Sequence, residues 1–241
     1  MDKKKVSVSW SGGKDSAFAL YKILLSREYQ VVNLHTVIDE ETKRVGLHGV
    51  RESLIEDQAE NIRLPLVKVY LTGSQNHHAY EKLMKSFYKQ CARQNVEGVI
   101  YGDIFLEDLR QYREDLLKDS ALIPYFPLWK VDTVLLWDDF INAGFKTMIC
   151  SANASLFTEK ELGKTLELSF PETLNPGVDV AGENGEFHTL VYDGPIFKKP
   201  LLIEPGEVVK KTYTYQRKND AGKVEMAETT FLFQDLLSRI A

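Results

Sequence analysis

"VSVSWSGGKDSAFAL", residues 6–20, decides the fold. An alternating apolar run stops at six small or polar residues, Ser11-Gly12-Gly13-Lys14-Asp15-Ser16. An amphipathic run follows at once, with Phe18, Leu20, Ile23 and Leu24 on one side. Period 2 giving way to period 3.6 across a glycine turn reads as strand, tight loop, helix. The first amides of such a helix lack partners, and its dipole points positive toward the loop. Gly12 and Gly13 let main chain approach a ligand closely, Ser9, Ser11 and Ser16 add hydroxyls, and Lys14 adds a point charge. The ensemble is an anion cradle suited to phosphate. It lacks the GxxxxGK[ST] spacing and is shorter and tighter than that loop. Asp15 would repel phosphates unless Mg²⁺ bridges both, which makes it the candidate metal ligand.

Outward from this stretch, strand-like runs at 5–9, 31–38, 66–70, 99–101 and 146–150 alternate with helical runs at 15–26, 50–61, 78–94, 107–118 and 137–143. Strands separated by helices imply βαβ units. The expectation is an α/β fold whose five-stranded parallel sheet carries helices on both faces, with ligands bound beyond the carboxyl ends of its strands. From about residue 153 Pro, Gly and acids become dense, so a nucleotide-binding domain over 1–152 precedes a smaller α+β C-terminal domain over 153–241. That second part is expected to close with two strands around the turn Asn219-Asp220-Ala221-Gly222 and a short terminal helix.

Bulk properties bound the partners. The 241 residues are 44% hydrophobic and 27% charged, which suffices for a sizeable core. A net charge of −5 without a basic tract argues against nucleic acid. No apolar run approaches the roughly 20 residues of a membrane span. Cys91 and Cys150, without metal-ligand spacing, read as reduced thiols of a cytoplasmic protein. A homodimer is left open.

Two further stretches carry chemistry. "VIYGDIFLEDLR" (99–110) ends a strand on Gly102 and Asp103, candidates for nucleotide contact, with Arg110 two helical turns on as a candidate anion ligand. "GENGEFHTLVYDGPIF" (182–197) puts Glu183, Asn184, Glu186 and His188 around one turn. Two carboxylates and an imidazole can bind ammonium or accept its proton. His48 in "GLHGVR" follows the second strand and is a further nucleotide candidate.

"SGGKDS" after a first strand resembles the pyrophosphate loop of the N-type ATP pyrophosphatases (PP-loop enzymes), whose fold is adenine nucleotide alpha hydrolase-like. Together with GDIxxxxxR, Pro127-Leu128-Trp129 and E-x-G-E-F-x-T followed by DGP, the chain resembles the diphthine–ammonia ligase family over about residues 5–205. The resemblance implies ATP-dependent amidation by ammonia of diphthine, a modified histidine on an elongation factor. A substrate oxygen would attack the α-phosphorus, pyrophosphate would leave into the loop, and ammonia would displace AMP. It implies catalytic roles for Lys14, Asp15 and Glu186, and substrate contacts for Arg110, Glu183, Asn184, Glu186 and His188. The diphthamide-forming branch reads E-G-G-E-[FY]-E-[TS], whereas residues 183–189 here read E-N-G-E-F-H-T, a form that resembles a bacterial branch with cobalamin-related links. The same chemistry on a small-molecule acid, a PP-loop RNA-modifying enzyme and a nucleotide sensor are the alternatives. With no N-terminal cysteine nucleophile and no glutaminase-sized unit, the expected nitrogen source is free ammonium or a partner.

Overall fold

A computed structural model describes residues 2–73, 77–218 and 224–239. In chain order the first elements are β1 (Lys4–Ser9), α1 (Lys14–Ser26), β2 (Tyr29–Asp39), β3 (Arg44–Val45), β4 (Val50–Arg51), α2 (Glu52–Ile62) and β5 (Leu66–Leu71). There follow α3 (His77–Arg93), β6 (Gly98–Ile100), α4 (Glu107–Leu117), β7 (Ile123–Tyr125) and α5 (Thr133–Asn142). The last are β8 (Lys146–Asn153), a 3₁₀ turn at Phe170–Thr173, β9 (Phe187–Asp193), β10 (Ile203–Lys218) and β11 (Val224–Ser238).

The parallel strands lie in the order β5-β2-β1-β6-β7. This is the doubly wound arrangement, with its switch point between β1 and β6. β2 alternates accordingly. Leu34 and Ile38 pack with α1 and α2, whereas Val32 and Val37 pack with α3 and α4. Helices thus cover both faces, as expected.

One member of the sheet differs from expectation. The run 146–150 belongs to β8, which pairs antiparallel with β9 and β11 in a second sheet of order β10-β11-β8-β9. Residues 147–152 are all buried, and a strand covered on both faces reads as the same apolar run in either kind of sheet. The fifth parallel strand is β7, three residues long with Pro124 at its centre. Proline donates no ladder bond and is tolerated because β7 lies at the edge.

The end of the chain also differs. No terminal helix forms at 234–238; these residues continue β11. Leu232, Gln234 and Leu236 are buried in alternation, and Asp235 between them is gripped from the β3–β4 hairpin. Arg44 Nη2 reaches Asp235 Oδ1 at 2.7 Å, and Arg51 Nη2 reaches Oδ2 at 2.6 Å. These tertiary bonds outweigh the helical spacing of the local sequence. The expected turn at 219–222 lies outside the described residues.

β9 joins the two sheets. Val191 N donates to Gly12 O at 2.9 Å, and Lys14 N donates to Thr189 Oγ1 at 3.0 Å. Gln58 of α2, fully buried, completes the joint. Its Nε2 donates to Gly12 O at 3.0 Å and Val191 O at 2.6 Å, while its Oε1 accepts from Trp10 Nε1 at 2.9 Å. Gln58→Leu strands these groups without replacement. We expect it to lower unfolding free energy by about 2–4 kcal/mol in urea denaturation; a loss below about 0.5 kcal/mol would contradict this joint.

Candidate functional site

The carboxyl ends of β1, β2 and β6 open onto a cleft of about 570 Å³. Its floor is Ser9, Ser11, Lys14, Asp15 and Ser16; Gly102 and Asp103 form one wall, and His48, Glu183 and His188 form another. Ten of the residues singled out from sequence therefore meet in one place. Gly12, Gly13, Arg110, Asn184 and Glu186 are not among the described residues that line it.

The glycines have a packing use within the fold. Gly12 has φ +81°, a conformation that favours glycine, and an added Cβ would fall 2.6 Å from Gln58 Oε1. A Cβ on Gly13 would fall 2.7 Å from His48 Cε1 and 2.9 Å from Thr189 O. Gly12 thus admits α2, and Gly13 admits β9 and the His48 hairpin. Gly102 similarly admits the first turn of α1, since its Cβ would lie 2.7 Å from the carbonyl carbon of Asp15. Each of the three therefore lets two segments of the chain approach closely.

The side chains of the loop do face the cleft. Ser11 Oγ and Ser16 Oγ are 3.3 Å apart. Lys14 is buried, and its Nζ lies 2.7 and 2.8 Å from the two carboxylate oxygens of Asp15. The Asp15 charge helps to raise the pKa of both Asp103 and Glu183, after the larger effect of burial. Three carboxylates thus share one field. Among the described residues no group of three or more acidic, His or Cys side chains forms a metal cage. This donor set fits Mg²⁺, which characteristically takes one or two carboxylates and completes its shell with phosphates and water.

Sequence reading missed Arg113. It is one turn beyond Arg110 on α4 and faces Asp103, with Nε 3.6 Å from Oδ2. Both atoms are buried without a hydrogen-bond partner. Arg110 is held elsewhere, 2.9 Å from Glu114 Oε1 and 4.7 Å above the Trp129 ring. Only the choice of helix face separates the two arginines, and neighbouring helical turns leave that face ambiguous in sequence.

The opposite wall carries neutral imidazoles. His48 Nδ1 donates to Thr189 O at 3.2 Å, and its ring centroid is 4.7 Å from that of His188. Burial holds the pKa of His48 down at about 4 against the help of that hydrogen bond, and burial with the nearness of His48 keeps His188 well below the usual range.

The Diphthamide synthase N-terminal domain matches residues 4–123, and the Diphthamide synthase C-terminal domain matches residues 132–224. The chain belongs to the diphthamide synthase family. A Homo sapiens protein named diphthine–ammonia ligase is 28% identical over 227 residues, covering 85% of this chain and 85% of its own length. The Schizosaccharomyces pombe protein of that name is 31% identical over 219 residues, covering 83% of this chain and 36% of its own. The U34-tRNA thiolase NcsA of Methanococcus maripaludis, solved with its 4Fe-4S cluster, aligns at TM-score 0.38 and 15% identity over 76% of this chain and 68% of its own.

In this member of the family the 183–189 turn divides its two acids. Glu186 is buried; its Oε1 accepts from Asp179 N at 3.0 Å and from Asn184 Nδ2 at 3.1 Å, so it ties the turn together. Its Oε2 is buried without a partner. Glu183 instead reaches across the cleft, where its Oε1 accepts from Ile104 N at 2.9 Å. Burial, opposed by the amides of Ile104 and Phe105 and aided by Asp15, lifts its pKa from 4.5 to about 7. A raised carboxyl binds its proton more tightly folded than unfolded, so wild-type stability falls as pH climbs from about 4.5 to about 7. Glu183→Gln keeps the acceptor and removes the titration. Discounted for the water this carboxyl still meets, the variant should match wild type at pH 4.5 and exceed it by about 1–2 kcal/mol at pH 8 in urea unfolding; parallel pH profiles would contradict it.

Proposed function

We propose that this chain is an ATP-dependent amide ligase that forms AMP and pyrophosphate and transfers ammonia to a protein-borne carboxylate, as the name diphthine–ammonia ligase describes for its relatives. The observation that carries the reading is the Ser11–Ser16 loop, with its own Asp15, at the switch point of a doubly wound sheet, sharing one cleft with Asp103 and Glu183. Phosphate binding falls to the hydroxyls of Ser11 and Ser16, the Lys14 ammonium and the start of α1, with Ser9 and Gly102 bordering the nucleotide. Asp15, with Asp103 beside it, would hold Mg²⁺, which supplies charge neutralisation to the phosphates and the departing pyrophosphate.

The covalent changes balance without another reactant. The substrate carboxylate oxygen bonds to the α-phosphorus as the bond to the pyrophosphate oxygen breaks. Ammonia then bonds to the acyl carbon and AMP leaves. Ammonium must lose a proton before it attacks, and Glu183, with a pKa of about 7, is a base matched to neutral pH. His48 and His188, held neutral, line this wall without adding charge that would hold ammonium away. Glu186 acts in this reading through the turn it ties, by placing Glu183. Buried free thiols at Cys91 and Cys150 support a reducing, cytoplasmic setting. No helix among the described residues is long and apolar enough to cross a membrane.

The test is exchange of labelled pyrophosphate into ATP, with diphthine-bearing elongation factor, small carboxylic acids or tRNA as the acceptor. Exchange with the elongation factor, and amide formation on adding ammonium, is the expected result. Exchange with a small acid alone moves the substrate, exchange with tRNA alone makes the enzyme an RNA modifier, and none at all leaves a nucleotide sensor. Lys14→Ala and Asp15→Asn should each reduce exchange by about 100-fold or more. Release of ADP instead of AMP would overturn the chemistry.

A further inference from the structure

The face of β1 and β2 toward α3 carries one buried polar chain. Ser7 Oγ donates to Asn33 Oδ1 at 2.5 Å and lies 2.7 Å from His35 Nδ1. A serine hydroxyl has one proton, and Asn33 takes it. His35 Nδ1 must therefore carry the hydrogen of its own bond to Ser7, which leaves Nε2 as a bare acceptor. Nε2 is buried and has no hydrogen-bond partner. Protonation offers no escape, because burial and then the charge of Arg113 hold the ring's pKa at about 3.

This ring lines the cleft of the loop. His35 pairs with Ser9 across the β1–β2 ladder, and its carbonyl accepts from Trp10 N at 2.8 Å, so it stands one strand from the start of the phosphate turn. Val37, Met84 and Leu106 line the same cavity, the charge of Arg113 acts on the ring, and the Phe87 ring centroid is 4.9 Å away. A buried acceptor with a fixed tautomer in the wall of a cleft asks for a ligand that brings an N–H donor at its edge.

We propose that His35 Nε2 reads the exocyclic amine of the nucleotide base, and that the Ser7–Asn33 pair exists to hold it as an acceptor. The inference rests on the reading of this cleft as an ATP site and adds the residue that selects the base. An adenine amine meets Nε2 with a hydrogen. The 6-oxo group of hypoxanthine or guanine would meet it lone pair to lone pair, leaving two acceptors unsatisfied.

The experiment compares equilibrium binding of ATP and inosine triphosphate, which carries an oxo group in place of that amine, to the intact chain and two variants. Wild type should bind ATP on the order of 10–100-fold more tightly. His35→Phe should lose that preference by weakening ATP alone. His35→Gln, whose amide can rotate to donate, should tighten inosine triphosphate relative to ATP. Equal binding of both nucleotides by wild type, or an equal loss of both in folded His35→Phe, overturns the role of His35 and leaves the ATP site standing. Binding of neither nucleotide by wild type overturns the site and this inference together. The wild-type comparison decides the matter even if a variant fails to fold.

Discussion

The structure depends on the bonding of a strand from one sheet to the phosphate turn of the other. Val191 and Thr189 of β9 bond to Gly12 and Lys14, and the buried amide of Gln58 ties both to Trp10. A glycine-rich turn left to itself samples many conformations, since glycine loses more freedom on ordering than any other residue. Here that cost is met by folding, because the turn is one edge of the contact between sheets. On the proposed reading the cradle for anions is then shaped before any anion arrives, which is how a binding site avoids ordering costs at the moment of binding. The same contact brings His188 and the 183–186 turn to the cleft that the Ser11–Ser16 turn floors.

Charge within the cleft follows from this construction. Asp15 is neutralised by Lys14, while Asp103 and Glu183 lie deeper, where burial disfavours a second and third negative charge. The imidazoles of the wall that Glu183 shares are kept uncharged by the same burial. A polyphosphate with its cation would enter a pocket poor in fixed net charge, and its local cation and amides would decide its position. The β3–β4 hairpin that carries His48 is itself fastened to the second sheet, through Arg44 and Arg51 on Asp235 and through Ser151 Oγ donating to Leu47 O at 2.6 Å.

What could be read from sequence was whatever is local. The strand–turn–helix at residues 4–26 follows from periodicity and a glycine pair, and the long helical stripes place α1 to α4 within a residue or two. The cleft also follows, because the strand ends of a doubly wound sheet converge by topology. Partnership between distant segments was not legible. The run 146–150 looks alike in a parallel or an antiparallel sheet, and β7 hides behind Pro124. Residues 234–238 have helical spacing and become strand because they pair with β10 and Asp235 has two arginine partners. Gln58, Arg113 and His35 carry no motif; each is visible only once buried polar atoms are matched with partners in three dimensions. Glu186 and Glu183 look equivalent in a string of letters, yet one ties a turn and the other faces the cleft.

The central claim is that the Ser11–Ser16 turn is a preformed pyrophosphate cradle held by β9. A crystal structure of the chain with ATP and Mg²⁺ tests it most directly. The account predicts the β- and γ-phosphates against Ser11, Lys14 and Ser16, with the bonds from Val191 N to Gly12 O and from Lys14 N to Thr189 retained. Phosphates bound elsewhere, or a turn that has broken from β9 to receive them, would contradict it.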